Sequence, residues 1–546
     1  MKLILTEYLA SLKERNELDA LLPDLLSEMG MVVTSVPQRG TSQNGVDIVA
    51  EYKNKIYLFS VKDGNLTRDH WNAAGPQSLR PSLEDILDSY IPNRIINEQF
   101  ENKKIVICLC FGGVILEQVR ERVTGFINRH TREKISFEIW NGDQIADLIL
   151  KHLLKETLLK DGYREELRRS IAMIEEPQEC YKYFENLLNL ISESSIDPIK
   201  KIRLINLSLW VLYTWSRNAN NLEGVYLTSE RALFFCWEII KDNFSKKKYN
   251  EAFYSLLSLY KNISKEYIDK LIPFVDKQYA LSAGSNYGSS INVNLKMFDI
   301  LGRFAMYGHW LIFDINNEQN EEFKKDKIDI FCKHLDKIEL LIKNNPILYT
   351  PIKDSQVIDV SLLISVFCFS WEDKHIKFIK EYIALVVRAV NASYSMEYLY
   401  PCIYEDFDKL LNHSKSNEDY NYKEATAASL LLPVLALVCG IFNDEESFNI
   451  LKKIKVEKLS HCNFQLWFPR YNSEIAMTTS LSRLHGACWS NIPIQKSIED
   501  FLKEVELMLS RADVLSEFNL IKNDLSALLL VSCRHFRQPV PLNYII

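Results

Sequence analysis

Two triplets carry residue types able to handle a phosphodiester: Gly45-Val46-Asp47 and, after twelve intervening residues, Ser60-Val61-Lys62. A carboxylate binds hard cations such as Mg2+ or Mn2+ through oxygen. A divalent ion held this way activates water and offsets the charge that builds on phosphorus. A lysine nearby orients the water, or deprotonates it as the neutral amine, and as the ammonium stabilises developing negative charge. Asp47 and Lys62 supply those two groups, provided the chain brings them together.

The residues between them predict a hairpin that does so. Val46 to Tyr52 and Ile56 to Val61 are apolar, β-branched and aromatic runs, and Lys53-Asn54 sits at the turn. With an even-numbered turn centred there, Asp47 pairs across from Ser60 and Gly45 from Lys62. Period-two alternation then puts Asp47, Ser60 and Lys62 on one face. It puts Val46, Ile48, Ala50, Tyr57, Phe59 and Val61 on the other.

The elements around this hairpin predict an α/β layer sandwich. Leu18 to Met29 places its leucines on one helical face, with Gly30 where a C-terminal cap belongs. A strand from Met31 to Val36 and a loop from Pro37 to Gly45 follow. Lys104 to Phe111 (KIVICLCF) reads as a buried strand ended by Gly112-Gly113, Val114 to His130 as a helix, and Ile135 to Trp140 as a last strand before a helix from about Asp143. From about Leu153 the pattern turns almost wholly helical. The chain of 546 residues is too long for one core, and the expected domains are 1–152, 153–345 and 346–546. A helical-repeat array and a plain multi-helix region both fit the all-α part, because no fixed period emerges.

In this order of elements and in these triplets, the stretch from Asp19 to Ile149 resembles the PD-(D/E)XK, restriction-endonuclease-like nucleases, with Mrr-like members nearest. The family pattern is an Asp at one strand, a (Glu/Gln/Asp)-X-Lys triplet on the next, and often an acid on the preceding helix. Leu18-Asp19-Ala20-Leu21-Leu22, Met29-Gly30-Met31-Val32-Val33 and Ile139-Trp140-Asn141-Gly142-Asp143 match its flanking segments. The resemblance implies Asp47 as central metal ligand, Lys62 as catalytic lysine, Asp19 as helix acid and the Val61 carbonyl in the metal shell. Ser60 departs from it, standing where an acid is expected, so metal affinity falls unless Asp63 or Asp19 substitutes; Glu51 should lie by the turn, away from the site. The resemblance covers about a quarter of the chain.

The expected function is therefore a Mg2+-dependent (or Mn2+-dependent) endonuclease cutting DNA in preference to RNA. By analogy of architecture, it resembles an effector of bacterial anti-phage defence whose helical region senses a trigger, oligomerises or docks a partner protein. The alternative is a nuclease-fold module that has lost its full metal site at Ser60 and binds nucleic acid or protein as a scaffold.

Bulk properties narrow the alternatives. A net charge of -7 excludes a generally basic, nucleic-acid-coating chain, so any contact with phosphates must use a local patch. Lys103, Lys104, Arg120, Arg122, Arg129 and Arg132 offer such contacts, although interleaved acids also fit a solvated helix face. Gln77 fits either a residue beside the site, where some relatives carry a Gln, or a solvated loop residue. His461, Cys462, His485 and Cys488 have zinc-ligand types at a spacing that matches no familiar knuckle. No GxxxxGK[ST] or GxGxxG motif occurs. The eleven Cys form no disulfide framework, and the apolar stretch in MKLILTEYLASLKER is short for a signal peptide, so a reducing cytoplasm is expected. Ala425 to Phe442 has no charge, yet its length and flanks favour a buried helix over a membrane span.

Overall fold

The computed structural model describes residues 2–12, 18–35, 44–72, 78–95, 103–152, 162–283, 288–415, 421–479, 486–490, 492–512 and 514–545. Most of the predicted loop from Pro37, together with Gln77 and His485, lies outside them. The chain divides into two compact units, Met1–Leu259 and Tyr260–Ile546.

The first unit is built on a five-stranded sheet. Helices α1 (Lys2–Ser11) and α2 (Asp19–Glu28) precede strands β1 (Val32–Ser35), β2 (Ile48–Tyr52) and β3 (Lys55–Lys62). Helices α3 (Arg68–Asn72) and α4 (Leu79–Asp85) run into a π-helical segment, Ile86–Ile95. Strand β4 (Lys104–Phe111), helix α5 (Glu117–His130), strand β5 (Ile135–Trp140) and helix α6 (Gly142–His152) complete the α/β part. Spatial order follows chain order, β1-β2-β3-β4-β5. The first three strands are antiparallel, whereas β4 and β5 run parallel to β3. Helical crossovers impose that switch, since parallel neighbours need a long connection.

Both faces of the sheet are covered, which is why β4 could be apolar along nearly its whole length. On one face Ile56, Leu58, Ile107 and Leu109 join Trp71, Leu83, Val119, Val123 and Phe126 in a single core cluster. On the other, Ile48, Ala50, Phe59, Val106 and Cys108 are fully buried. There α2 lies against β1 and β2 and packs with α6, which packs with α1.

Gly142 lets two backbones meet at the ends of β4 and β5. Its N–H donates to Gly113 O at 2.9 Å. A Cβ on Gly142 would lie 1.9 Å from Gly112 O, closer than a non-bonded carbon can approach an oxygen.

After α6 the first unit is helical. Helix Pro198–Asn218 packs on α1, and its Arg203 bridges to Glu28 of α2 at 2.8 Å. The texture change near residue 153 follows the end of the five-stranded sheet, while the compact unit continues to Leu259.

The second unit is mostly helical, with two small two-stranded sheets. Among the described residues no helix is long and apolar enough to cross a membrane. The charge-free run from Ala425 to Phe442 folds as a short strand, Ala428–Ser429, and a buried helix, Leu431–Ile441. Part-buried ionic contacts tie distant segments of this unit together. Asp299 accepts from Arg303 Nε at 3.0 Å and from Arg534 Nη1 at 3.1 Å. Arg537 donates to both oxygens of Asp359, at 3.1 and 2.9 Å. Burial alone would raise the Asp299 carboxyl, but Arg303 and Arg534 hold it down at about 2.

Candidate active site

The hairpin forms in the expected register. Ile48 pairs with Phe59 and Tyr52 with Lys55, closing a two-residue turn at Lys53-Asn54 with Lys53 at φ +54°. Continuing that register places Ser60 opposite Asp47. The ladder itself stops being regular there. The Asp47 N–H donates to Phe59 O at 2.8 Å, the residue that already faces Ile48. Two residues opposing one is the pattern of a β-bulge, which re-aims a side chain.

Alternation alone therefore does not fix the face of the Asp47 side chain; a hydrogen bond does. The Val61 N–H donates to Asp47 Oδ2 at 2.7 Å, which ties the carboxylate to the peptide between Ser60 and Lys62. Such a short bond to a carboxylate is charge-assisted and stronger than an ordinary amide contact. The chain reaches this bulge through Gly45, at φ +79°, where a Cβ would lie 2.1 Å from Ser82 O on α4. Only glycine fits both that conformation and that approach.

Sequence reasoning did not single out Cys110. In the parallel register of β3 and β4 it lies beside Val61. Burial pushes its thiol up, and the negative charge of Asp47 pushes it further. The carboxylate thus lies at the Val61 N–H and near enough to Cys110 for its charge to act on the thiol. The alternating Cys108 and Cys110 in KIVICLCF signalled the strand but not this neighbour.

Ser60 and Lys62 close the sheet end. Ser60 is fully buried, and among the described residues its Oγ has no hydrogen-bond partner. A buried hydroxyl left this way costs about 1–3 kcal/mol unless a bound group meets it. Lys62, the last residue of β3, is 7% exposed, so its stem is packed away. Asp19 opens α2 and is half-buried. Asp63 follows β3, half-buried, while Glu51 pairs with Lys103 at 2.5 Å near the hairpin turn.

The remaining candidates separate. Arg120 pairs with Glu117 on its own helix, and Arg132 and Lys104 are exposed. Arg122 and Arg129 line a groove with Arg80, a residue the sequence did not flag. His461 Nε2 shares a hydrogen bond with Thr426 Oγ1 at 2.8 Å, and burial pushes the Cys462 thiol up to about 12. Among the described residues no group of three or more His, Cys, Asp or Glu side chains is placed to hold a metal ion.

No protein-family model matches the chain, and no curated protein or solved structure is significantly similar to it.

Proposed function

We propose that the α/β part of the first unit is a metal-dependent phosphodiesterase of the restriction-endonuclease-like kind, acting on DNA. The observation that carries this reading is the Asp47–Val61 hydrogen bond, which holds a carboxylate against the Val61 N–H near the end of β3. The mixed sheet, antiparallel through β3 and parallel beyond it, supports the same reading.

The donor set fits Mg2+ of a particular kind. That ion is commonly held by one or two carboxylates, with waters and substrate phosphates completing the shell. Asp47 would be the carboxylate ligand, the Val61 carbonyl a second donor, and the orphaned Ser60 Oγ a group that a bound water or ligand would satisfy. The metal, when bound, supplies an activated water and charge neutralisation. The Val61 N–H holds Asp47 in one orientation. Lys62, shielded from solvent, presents a cation whose interaction with a phosphate is strengthened by the low local dielectric. Asp19, on α2, is the proposed additional acid. The helical remainder is the proposed sensing or partner-docking part.

The second reading, a nuclease-fold scaffold that binds without cutting, is favoured by one observation: no cluster of three metal-binding side chains exists among the described residues. Incubating the full chain with supercoiled plasmid and Mg2+ or Mn2+, beside Asp47→Asn and Lys62→Met, separates the two. Nicking by wild type alone supports the enzyme. Identical behaviour of all three proteins, with and without co-expressed neighbouring gene products, rejects it.

A further inference from the structure

We propose that the groove between α3, α4 and α5 is a phosphate-backbone site for nucleic acid, separate from the residues around Asp47. The groove has a volume of about 590 Å³ and is lined by Arg80, Arg122 and Arg129, with Glu121 as the acid among them. Arg80 is neutralised by Glu84, which leaves Arg122 and Arg129 facing the single carboxylate of Glu121, a local positive surplus on a chain whose net charge is -7. A local basic surface on an acidic protein is the electrostatic footprint of a polyanion partner.

The placement on α5 sharpens this. Val119, Val123 and Phe126 are buried on its core side. Arg122, Gly125 and Arg129 follow at spacings of three and four residues, on one face, and both arginines are exposed. Arg122 and Arg129 make no ion pair with any described residue, whereas Arg120 on the same helix pairs with Glu117 and Arg80 pairs with Glu84 at 2.9 Å. Arg129 Nε donates to Gly125 O at 3.0 Å, which anchors its guanidinium beside the glycine.

Gly125 is the second observation. A Cβ there would meet nothing within 4 Å. Mid-helix glycine is about 0.5–1 kcal/mol less favourable than alanine. Packing therefore does not explain it, but a bare helix surface between two arginines does, because it lets a phosphate approach closely. Arg122 and Arg129 are about 10.5 Å apart along the axis. Trp71 and Phe126, which line the floor, are buried and meet edge to face at 5.6 Å, so they offer no stacking platform for bases. The expected contact is to backbone phosphates, independent of sequence and steep in salt.

The choice of nucleic acid over an acidic protein rests on the nuclease reading. The test uses the full chain and a short fluorescein-labelled DNA duplex in EDTA, read by anisotropy over a salt series. Arg122→Ala/Arg129→Ala should weaken binding about tenfold or more and reduce the log–log salt slope by about 2. Gly125→Ala should raise thermal stability and weaken binding, while Arg120→Ala changes little. Unaltered affinity and slope in the double variant overturn the proposal, as does a wild type that binds no DNA. Because EDTA removes catalysis, a protein that binds through the arginines yet never cuts with Mg2+ sinks only the nuclease reading. One that cuts while ignoring both arginines sinks only the groove.

Discussion

The Asp47 carboxylate accepts the backbone N–H of Val61 at 2.7 Å, so one side chain is both a structural clasp for the β2–β3 hairpin and the proposed metal ligand. The two roles respond differently to substitution. Asp47→Ala removes the acceptor and should destabilise the first unit by about 1–3 kcal/mol. Asp47→Asn keeps an amide oxygen and should hold stability within about 1 kcal/mol, yet lose cleavage about 100-fold or more. Urea denaturation beside plasmid nicking checks both; an active Asp47→Asn protein would remove the ligand role.

Ser60 offers a gain-of-function test. Ser60→Asp restores an acid where the resemblance expects one. It should lower the Mg2+ concentration for half-maximal cleavage by about tenfold or more. Without metal it should destabilise the protein, because the new carboxylate is buried. A metal titration that does not distinguish it from wild type refutes the placement of Ser60 in the metal shell.

Acid should weaken the second unit through two histidines. His309 and His334 donate Nε2–H to Leu362 O at 3.2 Å and to Phe304 O at 2.8 Å, and burial lowers each to about 4. An unfolded histidine titrates near 6.5. Between these values the unfolded chain binds more protons, so stability rises with pH and is lost as pH falls from about 6.5 toward 4. At pH 5 the loss is roughly 2 kcal/mol per histidine. Denaturation midpoints at pH 7 and 5, for wild type and for His309→Gln/His334→Gln, measure it. The double variant should show the shallower dependence.

Gly142→Ala should be severe, because the added carbon meets the Gly112 carbonyl at 1.9 Å and neither backbone can yield cheaply. A loss of about 3 kcal/mol or more is expected. Thermal melting decides it, and a wild-type midpoint would mean the joint is looser than drawn.

The strands were legible because their signals are local. Lys104–Phe111 and Ile135–Trp140 coincide with the predicted runs, and the two-residue turn set the hairpin register from Tyr52↔Lys55 to Ile48↔Phe59. The expected strand at Met31 to Val36 is shorter, Val32–Ser35, with a register shift inside it. The helix Lys2–Ser11 and the π-helical Ile86–Ile95 had no clear periodic signature. The bulge at Asp47 was not legible, since it depends on Gly45 pressing against Ser82, a tertiary contact. The burial of Ser60 and Lys62 depends likewise on elements that arrive later in sequence. On α5 the basic residues were visible as a list. Which of them face Arg80 became clear only once α3 and α4 were placed.

The ionic contacts of the second unit also impose a schedule on synthesis. Asp299 and Arg534 are 235 residues apart, and Asp359 and Arg537 are 178 apart. At usual ribosomal speeds the earlier acid waits on the order of ten to fifty seconds before its distant cation exists. Meanwhile every strand of the five-stranded sheet and every crossover between them lies within Met1–Leu259. A nascent chain would thus hold the whole five-stranded sheet well before its second unit could consolidate, and a ribosome stalled short of Arg534 would leave Asp299 with Arg303 alone and Asp359 without Arg537.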